Sequence, residues 1–224
     1  MRPVNRPPYN GTVYADYKSF LPSLLTAYGG YCSYCERPDK VDVEHVVPKT
    51  HAPLLITDWN NFLLGCPRCN RDFKKSKNTQ RIGYVWPDVE NTFNLLTYHP
   101  DGRVEPKQGL SAGLTAQVQA TIDLVCLDDG NQVQKTLNLG RRRYFGLANK
   151  AKTLYLSNLL SIDEVMDMAQ LGYWSIWYNV FQGVPAVLSA LENSYPNTGN
   201  DSNLLIVFYV QIMPDDLVMQ LHRF

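Results

Sequence analysis

The apolar positions of this chain follow a helical period near its start, a strand period in its middle, and a helical period again through its second half. Between Tyr14 and Tyr28 the residues Tyr17, Phe20, Leu21, Leu24 and Leu25 recur at helical steps. Gly29 and Gly30 stop that helix, and Pro22 predicts a kink or a start later than the pattern itself. Val41 to His45 alternates as a short strand and Asn61 to Gly65 suits a second, with a long loop between them. Cys69 to Lys77 then reads as a polar helix, and the segments 93–98 and 103–105 flank His-Pro-Asp-Gly, a hairpin signal. Past about residue 110 the strand period gives way. Thr115 to Leu127 reads as a helix. Tyr144, Ala148, Ala151, Tyr155 and Leu159 mark a second. Ser161 to Gln182 reads as a third, with Asp163 and Glu164 suiting its first turn. Leu204 to Val210 has strand composition between Asn203 and Pro214. The fold class expected is α+β, with a first domain over 1–110 and a mainly helical region over 111–224.

Composition narrows the partners. The chain is 45% apolar and 19% charged with a formal net charge of zero, so no global attraction draws it to nucleic acid or membrane. Charge is concentrated locally instead. From Cys66 to Arg81 the cations Arg68, Arg71, Lys74, Lys75, Lys77 and Arg81 oppose only Asp72. The first residues, MRPVNRPPYNGT, show no apolar core of a secretory signal, and a cytoplasmic location is expected. Met168 to Leu191 is long and uncharged, but Gln170, Ser175, Asn179 and Gln182 interrupt it and Pro185 breaks it. A buried or interfacial helix is therefore expected, and no membrane partner.

Four of the five cysteines form two pairs, Cys32/Cys35 and Cys66/Cys69, spaced C-x2-C-x30-C-x2-C. Two such knuckles deliver four thiolates to a tetrahedral zinc ion. A redox dithiol and plain core thiols are the alternatives. The first lacks a βαβ setting and leaves the second pair unexplained. Cys126 stands alone in an apolar context as a buried thiol.

Between the knuckles lies VEHVVP, residues 43–48. Neighbours on a strand point to opposite sides, so Glu44 and His45 serve different tasks. A carboxylate can hold a hard divalent cation, and a neutral imidazole can take a proton from water near pH 7. Together with WNNFLLGC and CNRDFKKSK, this arrangement resembles the HNH endonucleases, the ββα-metal nucleases, over about residues 30–78. The resemblance implies a zinc-clamped ββα unit with His45 as general base and Glu44 and Asn70 as ligands of the catalytic ion. It implies that Asn61 braces the loop carrying His45, and that Cys32, Cys35, Cys66 and Cys69 hold a structural zinc. Asn70 stands where many members have histidine, and an amide oxygen favours Mg²⁺ or Mn²⁺ as the catalytic ion.

The basic tail belongs to the same unit, so Lys74, Arg71, Arg68, Lys75 and Lys77 are expected to contact a nucleic-acid backbone, DNA foremost. Asp88, Asn91, His51 and His99 suit turns or structural roles as well as any function. The aromatic residues Tyr173, Trp174, Trp177, Tyr178 and Phe181 suit a core or a docking surface. The layout of the whole chain, with GGYCSYCE, EHVVPK, DWNNFLLGC and WPDVENTF in order, is similar to the HNH subunit of Septu-type anti-phage systems, including those attached to retrons. That resemblance implies an ATPase partner. Two other classes stand beside it. One is a catalytically inactive zinc-stabilised nucleic-acid-binding or adaptor module, and the other a dithiol oxidoreductase.

Overall fold

The computed structural model of the protein describes residues 1–199. The expected strand at Leu204 to Val210 lies outside those residues. Pro22 resolves the ambiguity at the first helix: a 3₁₀ turn, Tyr17–Phe20, precedes helix α1, Leu21–Tyr28, in which Pro22 occupies the first turn and so costs no hydrogen bond. Phe20 anchors the turn, since it is buried against Tyr9, Tyr14 and Phe62.

Strands β1, Asp42–His45, and β2, Phe62–Gly65, pair antiparallel, with His45 opposite Phe62 and Glu44 opposite Leu63. A seven-residue π-helix, Arg68–Lys74, follows directly. The expected polar helix is present, but its backbone closes one residue wider than an α-helix, as in the 2.7 Å bond from Lys75 N–H to the Asn70 carbonyl. It ends at Lys75, whose φ is +52°. A short helix α2, Thr92–Leu95, leads into the hairpin of β3, Leu96–Tyr98, and β4, Val104–Pro106. Helices α3, Ala112–Leu124, and α4, Thr136–Leu156, come next.

The long third helix expected over Ser161 to Gln182 is instead two, α5, Ile162–Ala169, and α6, Trp174–Val180, before α7, Pro185–Ser194. Gly172 at φ +111° and Tyr173 at φ +58° make the break. A tertiary bond wins over the periodicity here. The Tyr173 N–H donates 3.0 Å to the Glu36 carbonyl, and Ser175 donates its N–H and hydroxyl to the Glu36 carboxylate at 2.9 and 2.5 Å. A Cβ on Gly172 would lie 2.6 Å from Pro38, so only glycine allows the approach. The break thereby fastens the first cysteine knuckle to α6.

The two hydrophobic cores do not divide at residue 110. The larger runs from Met1 through the strands into α3 and on to Ile176, and the smaller joins α4 to α7. Across the expected boundary the Thr121 hydroxyl accepts from the Val85 N–H and donates to its carbonyl. Tyr173, Trp174, Trp177 and Phe181 are all buried. They are core.

Candidate functional site

The four knuckle cysteines converge. Their sulfurs lie within 4.8 Å of one another, all buried, and Cys35 Sγ is 3.7 Å from Cys66 Sγ. That separation is far too long for a disulfide and close to the roughly 3.8 Å that a tetrahedron with Zn–S bonds of about 2.3 Å imposes. Burial pushes the Cys32 thiol up, and four thiolates this close would need a cation between them. The donor set fits zinc. Cys126 is also buried but stays outside the cluster, its thiol directed at the Asp128 carbonyl.

Between the knuckles the alternation of β1 sends its two functional side chains apart. His45 turns toward Tyr17 and Phe62, whose rings meet the imidazole edge-on at 4.7 and 5.2 Å. Its Nε2 lies 3.0 Å from the Ile56 carbonyl. A carbonyl only accepts, so Nε2 carries the proton of a neutral ring and Nδ1 is left as the basic nitrogen. Burial holds the imidazole below the ordinary histidine value; the Ile56 bond opposes this, and Lys49 and Lys74 add to it. The ring is therefore neutral and able to accept a proton at pH 7.

The loop that supplies Ile56 is gripped by Asn61. Its Oδ1 accepts from the Val47 N–H at 2.8 Å, and its Nδ2 donates to the Val47 carbonyl at 2.9 Å. The same side chain is 3.5 Å from the Leu55 carbonyl. A buried primary amide satisfied on both ends fixes the loop against the start of β2.

Glu44 points to the other side, toward the π-helix. Gly65 makes that approach possible: a Cβ placed there would sit 3.0 Å from Cβ of both Glu44 and Asn70. The two side chains thus flank one point of β2, and both line the cleft. Glu44 is nevertheless engaged. Its Oε1 accepts from Lys74 Nζ at 2.7 Å and from the Tyr34 hydroxyl at 3.1 Å. Burial pushes the Glu44 carboxyl above its ordinary value, and Lys74 and Tyr34 oppose the shift. The bonds drawn to Glu44 among the described residues end on Oε1, and its second carboxylate oxygen is a hard donor of the kind that suits a divalent ion.

Two of the cations expected on a nucleic-acid backbone are elsewhere. Lys74 is 1% exposed, and its ammonium also donates 2.8 Å to the His45 carbonyl. It holds β1 against the helix and cannot reach a phosphate. Arg68 bonds the Cys126 carbonyl at 2.9 Å and pairs with Asp129 at 3.4 Å, so it ties the second knuckle to the loop before α4. Arg71, Lys75 and Lys77 are exposed, with Arg71 3.8 Å from Asp42. His51 bonds the Ser76 carbonyl, His99 pairs with Glu105, and Asp88 accepts from Arg6 and Arg81. Asn91 caps α2. These serve structure.

The Lys74 pair carries a prediction. Lys74→Met leaves the Glu44 carboxyl buried without its cation and should cost about 3–5 kcal/mol, whereas the exposed Lys77→Ala should be nearly neutral. In the variant the folded carboxyl holds its proton more tightly than the unfolded one. Its stability should therefore fall as pH climbs above the unfolded carboxyl value of about 4.3. Urea melts at pH 5 and pH 8 check both statements, and equal midpoints for the two variants would remove the pair from this role.

The cleft itself encloses about 610 Å³ and is lined by Glu44, His45 and Asn70 together with Tyr17, Lys18, Lys40, Lys49, Arg71 and Lys75. Lys18, Lys40 and Lys49 are cations that the charge run past Cys66 does not contain. Lys49 sits four residues after His45, the one sequence signal among them; the others come from segments that only the fold brings near.

Comparison with known proteins agrees with this geometry. Residues 32–76 match the model of the HNH endonuclease family. This span holds all four zinc-knuckle cysteines, both strands and the helix that carries Asn70. The chain is also 34% identical over 79 residues to the Septu protein PtuB of Bacillus thuringiensis, an overlap of 33% of this chain. The chain spans 30% of the length of that curated relative. The matched span is thus a ββα unit whose two cysteine pairs could hold a zinc ion, with an N-terminal helix before it and a mainly helical region after it. Among the described residues no helix is long and apolar enough to cross a membrane.

Proposed function

We propose that this chain is a metal-dependent endonuclease that hydrolyses phosphodiester bonds, DNA foremost, in a bacterial anti-phage defence complex. The observation that carries the reading is the convergence of a neutral, oriented His45, the oxygen donors of Glu44 and Asn70, and a rim of lysines on one cleft. Nδ1 of His45 takes the proton of the attacking water. Asn61, through Val47 and Leu55, keeps the Ile56 carbonyl where it orients that imidazole. Glu44 and Asn70 would hold Mg²⁺ or Mn²⁺, whose Lewis acidity neutralises charge on the phosphate and leaving oxygen. A zinc ion on Cys32, Cys35, Cys66 and Cys69 clamps the two ends of the unit.

The test is supercoiled plasmid, single-stranded DNA and RNA, each with Mg²⁺ or Mn²⁺, alone and with an ATPase of the kind that the Septu resemblance implies. Similarity to a Septu protein supports a place in a defence complex, and the exposed leucines Leu156, Leu159 and Leu171 of the second half offer a partner apolar surface. Cleavage in any arm supports the reading. No cleavage with the zinc in place and the ATPase bound favours an inactive zinc-stabilised binding module, a reading that the Lys74 pairing of Glu44 also supports.

The rim makes a second prediction. Replacing Lys40, Lys49 and Lys75 together by alanine should weaken duplex binding and reduce the slope of log K against log salt by about 3. Fluorescence anisotropy across a KCl series reads this, and an unchanged slope would place the backbone path elsewhere.

A further inference from the structure

The nuclease reading of the cleft leaves Tyr17 without a task, although it touches the base. Tyr17 precedes the span that matches the family and arrives on the 3₁₀ turn. Asp16 caps that turn by accepting from the Lys18 N–H, and buried Phe20 pins it to Phe62. The turn is therefore held at both ends, and Tyr17 is set against β1 rather than free to swing. Its ring meets the His45 imidazole at 4.7 Å and 68°, while Phe62 meets the same imidazole at 5.2 Å and 84°. With Nε2 on the Ile56 carbonyl, the imidazole is restrained by two rings and one hydrogen bond.

Tyr17 has a second contact. Lys49 Nζ lies 4.8 Å from the centre of its ring and 3.3 Å from its hydroxyl. A lysine on an exposed loop ordinarily explores many rotamers. Here one aromatic side chain contacts both that ammonium and the imidazole, and all three line the cleft.

We propose that Tyr17 is a positioning residue that sets the imidazole of His45 and the ammonium of Lys49 in one geometry toward a bound phosphodiester. The ring does the first task and shares the second with the hydroxyl, so removing the hydroxyl alone weakens only the hold on Lys49. This proposal rests on the nuclease reading for its kinetic consequence but not for its structural one. A misplacement of about 1 Å in a reacting group can cost a hundredfold in rate.

The test uses the full chain with zinc bound, in three forms: wild type, Tyr17→Phe and Tyr17→Leu. Imidazole ¹⁵N shifts separate a protonated from a bare nitrogen. The chain has four histidines, so His45→Ala assigns the signal. Tyr17→Leu should convert the single Nε2–H tautomer of His45 into a mixture and lower kcat about 10- to 100-fold, with KM changed less. Tyr17→Phe should keep the tautomer and kcat while raising KM for DNA several-fold. Thermal melts accompany each variant. A Tyr17→Leu protein that melts lower but keeps the His45 tautomer would show that Tyr17 is packing only, and the proposal would fall. Should wild type cleave nothing, the nitrogen spectra still decide the positioning role, and the nuclease reading fails separately.

Discussion

His45→Ala abolishes cleavage while the protein stays folded and keeps its zinc: that is the expected result with the largest effect on activity. On this reading, loss of the general base costs about 10²–10⁴ in rate. Among the described residues the other histidines are engaged, His51 on the carbonyl of Ser76 at the edge of the cleft and His99 on Glu105. His45→Gln is the sharper variant, because its amide can still donate to the Ile56 carbonyl while offering no base. Both should be inactive in Mg²⁺ and Mn²⁺ alike. In wild type the rate should rise with pH as the imidazole loses its proton. Because burial holds that imidazole low, the acid limb should lie below the ordinary histidine value of about 6.5. A His45→Gln enzyme cleaving within a fewfold of wild type would mean that another group activates the water.

The strands and both knuckles were legible because they are local. Val41–His45 alternates and Asn61–Gly65 holds a short apolar run, each within a few residues, and the spacing of Cys32, Cys35, Cys66 and Cys69 is a pattern in the chain itself. The sulfurs converge, and residues 32–76 match the expected family. What failed was charge. Lys74 and Lys75 are adjacent and look alike in sequence, yet one is buried on Glu44 and the other lines the cleft. The wider closure of the π-helix decides which residue faces inward, and composition does not carry that information. The third long helix failed for a similar reason. Its apolar periodicity continues through Gly172, but Glu36, more than a hundred residues earlier, claims the Tyr173 and Ser175 backbone. Long-range polar bonds of this kind leave no periodic trace. Nor did Tyr17 stand out, since its place in a helical stripe is what a core residue would show.

Removing the zinc should have the largest effect on stability. Cys69→Ser, or a strong chelator under mild urea, is expected to release about one zinc per chain and to unfold residues 32–76. Structural zinc in small motifs is worth about 10–16 kcal/mol of apparent binding energy, which rivals the whole stability of a domain. Against this loss the unit sets the burial of Val43, Phe62, Leu63 and Leu64 in the larger core. Among the described residues its sheet is two strands of four residues, paired to each other, and such a pair is marginal alone. The loss should also travel. Glu36 follows Cys35 directly and holds the start of α6 through Tyr173 and Ser175, while Arg68 beside Cys69 holds the loop before α4. Amide exchange should therefore quicken first in residues 32–76 and next at the start of α6, with α7 protected longest. Elemental analysis with hydrogen exchange reads both. A Cys69→Ser chain with an unchanged melt and unchanged exchange would make the four sulfurs ordinary core thiols, and the geometry at Gly65 that brings Glu44 to Asn70 would then depend on packing alone.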